Sequence, residues 1–230
     1  MTAPARPAPP LRVRDLGRLA YPPALAEQRA AHAAVVAGGE GAVLLLVEHD
    51  PVVTLGRRGL RDGVRAPERL RSLGIPIVES ERGGDVTYHG PGQLVAYPVL
   101  RLSDFRLDVR AYVSALEGAA LRLLASYGLE GRRDPEMHGV FTAGGKIASV
   151  GVHVSRGVTR HGIAVNVDPS AEHWACIDPC GQAAVRAASL RAELAAPDAA
   201  TVAACAMPVV KRRFIAAFAA EFGLAPPALG

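Results

Sequence analysis

The order of apolar and polar positions along the chain predicts alternating strands and helices. Residues 42–47 and 94–97 are continuous apolar runs, which are typical of strands covered on both faces. Other apolar or alternating segments predict strands at residues 12–16, 52–55, 139–141, 147–154 and 161–167. The pair Gly144-Gly145 predicts a hairpin between the strands that flank it.

Helical spacing of apolar residues is clearest over residues 108–127, where Asp108 is a suitable N-cap and Gly128 a suitable end. Further helices are predicted at residues 22–37, 67–73 and 201–222, the last being one helix or a pair divided at Pro208. Strands in the middle, with helices before and after them, predict an α/β (α+β) fold in which a mixed central sheet is flanked by helices.

The composition is that of one globular domain. The chain has 230 residues, of which 50% are hydrophobic, and this suffices for one sizeable core. We expect a single domain over residues 11–230, preceded by a disordered tail over residues 1–10 that lacks the apolar segment of a secretory signal. No apolar run approaches the ~20 residues that span a bilayer. The net charge of +4, without a Lys/Arg-rich block, argues against a nucleic-acid partner.

One stretch has a composition that suits a binding site better than a regular element. Residues 82–97 hold four glycines, a proline, an arginine and a histidine before turning apolar. Glycine allows positive φ and a close approach of the backbone to a ligand. The stretch therefore predicts a polar, ligand-facing loop at the edge of a sheet. Two successive tight turns are the alternative.

Three cysteines occur, at positions 176, 180 and 205. An odd number argues against a disulfide framework and favours a reducing cytoplasm. Cys205 lies in an apolar run and is expected in the core, and Cys176 is expected to pack. Cys180 stands between Pro179 and Gly181, which suits an exposed thiol, although a buried structural cysteine is the alternative.

Two other chemistries are disfavoured by spacing. His173, Cys176 and Cys180 offer only three metal ligands, whereas a structural zinc site uses four, so no metal is expected. Residues 139–146 superficially match a phosphate-binding loop, but Ile147 stands where that loop needs a hydroxyl residue after the lysine. Lys146 itself begins an apolar strand, where a lysine is ordinarily a solvated strand end.

Three motifs resemble the signature of the lipoyl(octanoyl) transferase family. They are R-G-G-x-x-T-Y-H-G-P-G-Q-x-V-x-Y over residues 82–97, G-K-I-A-S-V-G-V over residues 145–152, and P-C-G over residues 179–181. These enzymes move an octanoyl group from acyl carrier protein to a lysine of a lipoyl domain, and the resemblance spans residues 16–194. It also implies the fold of the catalytic domain of biotin and lipoate protein ligases.

The resemblance implies a catalytic pair, Cys180 and Lys146. In this interpretation Cys180 carries the acyl thioester, and Lys146 lowers the pKa of that thiol and shuttles protons, as a neighbouring amine can do. The resemblance also places the acyl chain along three stretches: Arg82, Gly83, Gly84, Asp85, Val86, Thr87, Tyr88 and His89; Ser149, Val150 and Gly151; and Gly162, Ile163 and Ala164.

The implied partners are octanoyl-acyl carrier protein as donor, with the lipoyl domains of 2-oxoacid dehydrogenase E2 subunits and the glycine cleavage H protein as acceptors. A thioester donor is already activated, so no cofactor is expected. Two positions depart from the family: Ala188 replaces a threonine, and Ile163 replaces a phenylalanine, which puts the chain-length preference in question.

Two rival functions stay open. One is an ATP-dependent lipoate or biotin ligase, which needs no nucleophilic cysteine. The other is a non-catalytic module that binds lipoyl domains. A basic loop with Arg57, Arg58 and Arg61 is, equally, either a docking site for an acidic carrier protein or a solvated surface.

Overall fold

A computed structural model describes residues 9–59, 63–178, 186–194 and 198–225. Ten strands occur within these residues, and they are β1 (Leu11–Leu19), β2 (Ala42–His49), β3 (Val52–Leu55), β4 (Ile77–Glu79), β5 (Val86–His89), β6 (Gln93–Val99), β7 (Arg132–Arg133), β8 (Gly139–Thr142), β9 (Gly145–Ser155) and β10 (Val158–Asn166). The predicted tail at residues 1–10 lies mostly outside the described residues.

The helices lie before, between and after the strands. They are α1 (Tyr21–Val36), α2 (Pro67–Ser72), α3 (Val109–Ala125), α4 (Ala171–Trp174), α5 (Leu190–Glu193), α6 (Ala199–Ala204) and α7 (Met207–Glu221), with a 3₁₀ helix at Leu102–Phe105. Asp108 caps α3 as predicted, because its carboxylate accepts a hydrogen bond from the backbone N–H of Ala111. The closing segment is a pair of helices, and Pro208 lies in the first turn of α7.

The strands form two sheets. The larger has seven strands in the order β1-β2-β6-β10-β9-β8-β7, and the smaller has the order β4-β3-β5. β1 and β2 run parallel, as do β3 and β4, whereas the other described pairs are antiparallel. β8 pairs with β9 only as far as Ser149. The rest of β9 therefore offers its edge to another part of the chain.

Three apolar clusters hold these layers together. The first packs α3 and α7 on one face of the large sheet, and the second packs α1 on the other face. The third lies between the small sheet, α2 and α4. The mixed central sheet with flanking helices confirms the predicted fold class.

The sequence prediction was wrong at the loop over residues 82–97 in one respect. Val86, Thr87, Tyr88 and His89 form β5, which is buried and pairs antiparallel with β3. Their β-branched and aromatic side chains favour a strand, and the glycines on either side hid this preference. Only residues 82–85 and 90–92 lie outside strands there.

Phe218 tests the packing of α7. Its side chain is fully buried and stacks on Phe222 with ring centroids 4.3 Å apart. We expect Phe218→Ala to lower the free energy of unfolding by about 3–5 kcal/mol, because a large cavity replaces the ring. Urea denaturation measures this loss. Val202→Ala, at an exposed position, is the control and should change stability by less than about 0.5 kcal/mol. Equal losses in the two variants would contradict the packing described.

Candidate active site

A cavity of about 660 Å³ lies where β5, β9 and β10 meet. Lys146 lines this cavity, as do thirteen of the fourteen predicted substrate contacts. These thirteen are Arg82, Gly83, Gly84, Asp85, Val86, Thr87, His89, Ser149, Val150, Gly151, Gly162, Ile163 and Ala164. The structure thus brings the three predicted binding stretches, 82–89, 149–151 and 162–164, to one cavity.

Tyr88 is the exception. Strand alternation directs its side chain away from the cavity and into the third apolar cluster. There its ring packs edge-on against Trp174, and its hydroxyl lies 2.8 Å from His173 Nδ1. Tyr88 therefore packs in the third apolar cluster, against the small sheet, and does not line the cavity.

The loop at residues 82–85 is tied to both sheets at its start. The guanidinium of Arg82 donates hydrogen bonds to the carbonyl and hydroxyl oxygens of Thr54 on β3, at 2.7 and 2.9 Å. The backbone N–H of Gly83 donates to the carbonyl of Val152, at 2.8 Å, on the free edge of β9. Arg82 thus ties the loop to the small sheet, and Gly83 ties it to the large one.

The glycines near this loop serve close backbone packing. A Cβ at Gly151 would lie 3.0 Å from the carbonyl oxygen of Gly83, and a Cβ at Gly162 would lie 2.3 Å from that of Ala96. At Gly162 a side chain would collide with the backbone of β6, so a glycine is needed there for strand contact.

Lys146 is buried, with only 5% of the residue exposed, so a solvated strand end is excluded. Its ammonium nitrogen lies 5.5 Å from the centroid of the Phe141 ring. Gly139, with φ +133°, leaves room for the lysine, because a Cβ there would lie 2.8 Å from Lys146 Cε. A glycine on β8 therefore makes the position of the lysine side chain possible.

The chain that follows the P-C-G motif pairs directly with Lys146. The backbone N–H of Lys146 donates to the carbonyl of Arg186 at 2.8 Å, and the N–H of Ala188 donates to the carbonyl of Lys146 at 2.9 Å. Before the motif, the N–H of Asp178 donates to the carbonyl of Gly63. Pro179, Cys180 and Gly181 themselves lie outside the described residues.

The cavity also has a histidine-rich wall. Burial lowers the pKa of His89 and of His161 to about 3, and that of His49 to about 4. His89 and His161 line the cavity, while His49 lies behind it with Nε2 2.7 Å from the hydroxyl of Tyr97. At neutral pH all three rings are therefore uncharged.

His161 reaches this wall through an unusual backbone conformation. It pairs with Val152 across β9 and β10, and alternation would direct both side chains to the first apolar cluster. Instead His161 has φ +57°, and its ring lies 6.1 Å from that of Tyr97. Such a conformation costs about 1–2 kcal/mol for a non-glycine residue.

Several cavity residues lie outside the predicted contacts, and Tyr21, Tyr97 and His161 are among them. Tyr97 ends the motif over residues 82–97, and His161 directly precedes the predicted stretch 162–164, so their position beside those residues was the available signal. Tyr21 begins α1 far from any motif, and nothing in its surroundings indicates a cavity.

Cys176 and Cys205 are buried free thiols, as predicted. Among the described ranges, no group of three or more His, Cys, Asp or Glu side chains is arranged to hold a metal. The disfavoured trio of His173, Cys176 and Cys180 is not tested there, because Cys180 lies outside those ranges. No helix in the described part of the chain is long and apolar enough to cross a membrane.

Similarity to known proteins covers nearly the whole chain. The lipoyl protein ligase A/B catalytic domain family matches residues 20–219. An octanoyltransferase of Geobacter metallireducens is 46% identical, covering 81% of this chain and 85% of that protein. The mitochondrial octanoyl-[acyl-carrier-protein]:protein N-octanoyltransferase of Xenopus tropicalis is 44% identical over 81% and 79% of the two chains. A bipartite lipoate protein ligase from Thermoplasma acidophilum superposes with a TM-score of 0.66 at 16% identity, covering 96% of this chain and 86% of that one.

The buried histidines make stability depend on pH. The unfolded chain protonates His49 below pH 6.5, whereas the folded protein does so only near pH 4. Acidification through this window therefore favours unfolding, and the stability that neutral His49 gives is present above pH 6.5. We expect His49→Gln to flatten the slope of unfolding free energy against pH, between pH 5 and 6, by about 1 kcal/mol per unit. Urea titrations at several pH values measure the slope, and an unchanged slope would contradict a neutral buried His49.

Proposed function

The chain belongs to the lipoyl protein ligase A/B catalytic domain family and is an octanoyltransferase of protein lipoylation; we propose that it works through a thioester on Cys180, assisted by Lys146. One observation carries the proposal. The buried Lys146 opens on the motif-lined cavity, and its backbone pairs with residues 186–188, soon after Cys180 in the sequence.

The proposed reaction has two transfers. The Cys180 thiolate attacks the octanoyl thioester of the carrier, the carbon–sulfur bond to the carrier breaks, and the carrier thiol leaves with a proton from Lys146. The acceptor lysine amine then attacks the Cys180 thioester. Its carbon–sulfur bond breaks, Cys180 leaves as a thiolate, and Lys146 accepts the amine proton. The first step exchanges one thioester for another, and the second forms a more stable amide.

The cavity suits the acyl chain that this reaction needs. Ser149 and Gly151 on β9 face Gly162 and Ala164 on β10 across the sheet register, and all four line the cavity. Burial of an alkyl chain contributes about 0.8 kcal/mol per methylene. We therefore propose that the chain lies along these two strands, starting from Lys146 and running towards His161.

The proposal extends to partners and location. The Xenopus relative is named for an acyl carrier protein donor and a protein acceptor, and the Thermoplasma structure includes an E2 lipoyl domain. By analogy we propose octanoyl-acyl carrier protein as donor, and E2 and glycine cleavage H lipoyl domains as acceptors. The free thiols of Cys176 and Cys205 favour the reducing cytoplasm.

The thioester is tested by mass. The protein is incubated with octanoyl-acyl carrier protein, and its intact mass is recorded before and after hydroxylamine. We expect an octanoyl adduct that hydroxylamine removes, since thioesters are labile to it. The adduct should be absent from Cys180→Ala and form much more slowly in Lys146→Ala. Cys205→Ala, which removes a buried thiol in the first apolar cluster, is the matched control and should be acylated normally.

Transfer to a lipoyl domain at full rate by Cys180→Ala would make the mechanism wrong. The two rival functions separate in the same assay. A ligase would need ATP and free octanoate in place of the carrier thioester. A binding module would give neither the adduct nor the product, and iodoacetamide would alkylate Cys180 no faster than a free thiol.

We propose that the carrier docks on the basic loop. Arg57 and Arg58 are exposed, and Arg58 lines the cavity. The loop is held against the cavity wall, because the N–H groups of Arg57 and Arg58 donate to the carbonyls of the lining residues Arg82 and Gly84. Arg61 lies outside the described residues. Basic side chains here would attract an acidic carrier protein as it delivers the acyl group.

Charge reversal tests this docking site. We expect Arg57→Glu/Arg58→Glu to raise KM for octanoyl-acyl carrier protein about tenfold, because the attraction between the exposed arginines and an acidic carrier is lost. The dependence of KM on salt should also weaken, because salt screens that attraction. Steady-state kinetics at low and high salt measure both effects. Arg212→Glu, at an exposed position of α7, should leave KM unchanged. If KM changes neither with salt nor in the double variant, the carrier does not dock on this loop.

A further inference from the structure

Three buried polar side chains connect the cavity motifs to the backbone of Lys146. His89 Nδ1 lies 2.6 Å from Gln93 Oε1, and Gln93 Nε2 lies 2.9 Å from Asn166 Oδ1. Asn166 Nδ2 lies 3.0 Å from the carbonyl oxygen of Ala188 and 3.5 Å from that of Lys146. None of the three side chains belongs to a residue more than 5% exposed.

The direction of these hydrogen bonds follows from the carbonyls at their ends. A carbonyl oxygen only accepts, so the atom of Asn166 that faces Ala188 and Lys146 is its amide nitrogen. Gln93 must likewise present its nitrogen to the carbonyl of Tyr88, 3.3 Å away, and the same nitrogen donates to Asn166. The oxygen of Gln93 then accepts from Nδ1 of a neutral His89. In each of these hydrogen bonds the donor is therefore on the His89 side and the acceptor on the Ala188 side.

The end of this series is the junction at which Lys146 meets residues 186–188. Backbone hydrogen bonds join Lys146 to Arg186 and to Ala188, and the side-chain amide of Asn166 donates to the carbonyls of Lys146 and Ala188. Arg186 follows Cys180 by six positions in the sequence. A fixed junction limits how far the chain that carries the thiol can move from the lysine.

We infer that Asn166, held in place by Gln93, is a positioning residue of the transfer reaction, which keeps Lys146 in register with the chain that follows Cys180. The inference rests on the proposed function, because it assumes that Lys146 and Cys180 act together. Asn166 does not touch the reacting atoms in this account. It acts through the backbone of Lys146 and of Ala188.

A purely structural role is the alternative, and Thr159 provides the comparison. It is also buried on β10, and its hydroxyl donates to the carbonyl of Pro98 at 2.8 Å. However, Thr159 pairs with Val154, at the end of β9 remote from Lys146. Loss of its hydrogen bond should weaken the fold without disturbing the junction.

The experiment compares Asn166→Leu, Lys146→Met, the double variant and Thr159→Val. The rate of alkylation of Cys180 by iodoacetamide is followed against pH by peptide mass, and acylation is followed in a single turnover. We expect Asn166→Leu to move the midpoint of the alkylation profile up by about one pH unit, towards that of Lys146→Met. Acylation should slow about 10- to 100-fold, as displaced catalytic groups do. If Asn166→Leu does not fold, Asn166→Ala serves in its place.

Non-additivity distinguishes positioning from general damage. In the Lys146→Met background, Asn166→Leu should add little, because the amine it positions is already gone. Thr159→Val should keep the wild-type midpoint and acylation rate. Three results would overturn the inference. The first is an unchanged alkylation midpoint in a folded Asn166 variant. The others are a midpoint shift of the same size in the Lys146→Met background or in Thr159→Val. If Lys146→Met leaves the alkylation midpoint and the acylation rate unchanged, the proposed catalytic pair is wrong as well. If only the Asn166 variants leave them unchanged, the pair is supported and the positioning role alone is wrong.

Discussion

The arrangement of this protein depends on keeping one lysine side chain out of water. Lys146 lies in the hairpin of β8 and β9, with almost none of its surface exposed. Burying an amine is costly unless neighbours compensate. Gly139 makes room for the side chain, Phe141 offers it a ring face, and the backbone on both sides pairs with residues 186–188. A surface lysine would need none of these features.

The cavity beside Lys146 lies where the two sheets are joined. β8 is short, so the outer half of β9 has a free edge, and Gly83 of the loop after β4 occupies it. Arg82 ties that loop to Thr54 in the small sheet. The cavity is thus the gap that remains where the two sheets are joined, and it is lined by Lys146 and by the neutral rings of His89 and His161. Its polar groups are held in place before any ligand arrives, which favours catalysis by pre-organisation.

Local patterns predicted most of the fold. The strands β2, β3 and β6 and the helix α3 have strong periodicity and clear ends, so their limits agree within a few residues. β5 was missed because glycines surround four residues that are themselves good strand formers. The 3₁₀ helix and β7 are too short to leave a pattern. The direction of Tyr88 and of His161 depends on strand pairing and on one positive φ, neither of which a single sequence reveals.

The site followed from the motifs only in part. Residues of the motifs over 82–97 and 145–152 converge on one cavity, but no local pattern indicated that Arg82 would turn to Thr54, or that Gly162 would be needed by β6. The pairing of Lys146 with residues 186–188 joins positions forty residues apart and depends on the whole sheet being formed. Such contacts are set by tertiary structure, so no local propensity encodes them.

A crystal structure of the protein acylated with octanoate tests the central claim most directly. The account predicts the acyl group on Cys180 Sγ, with Lys146 Nζ within hydrogen-bond reach of the thioester, about 3 Å. The chain should lie between Ser149–Gly151 and Gly162–Ala164. A sulfur that stays more than about 7 Å from Nζ, or an acyl chain that lies outside this cavity, would contradict it.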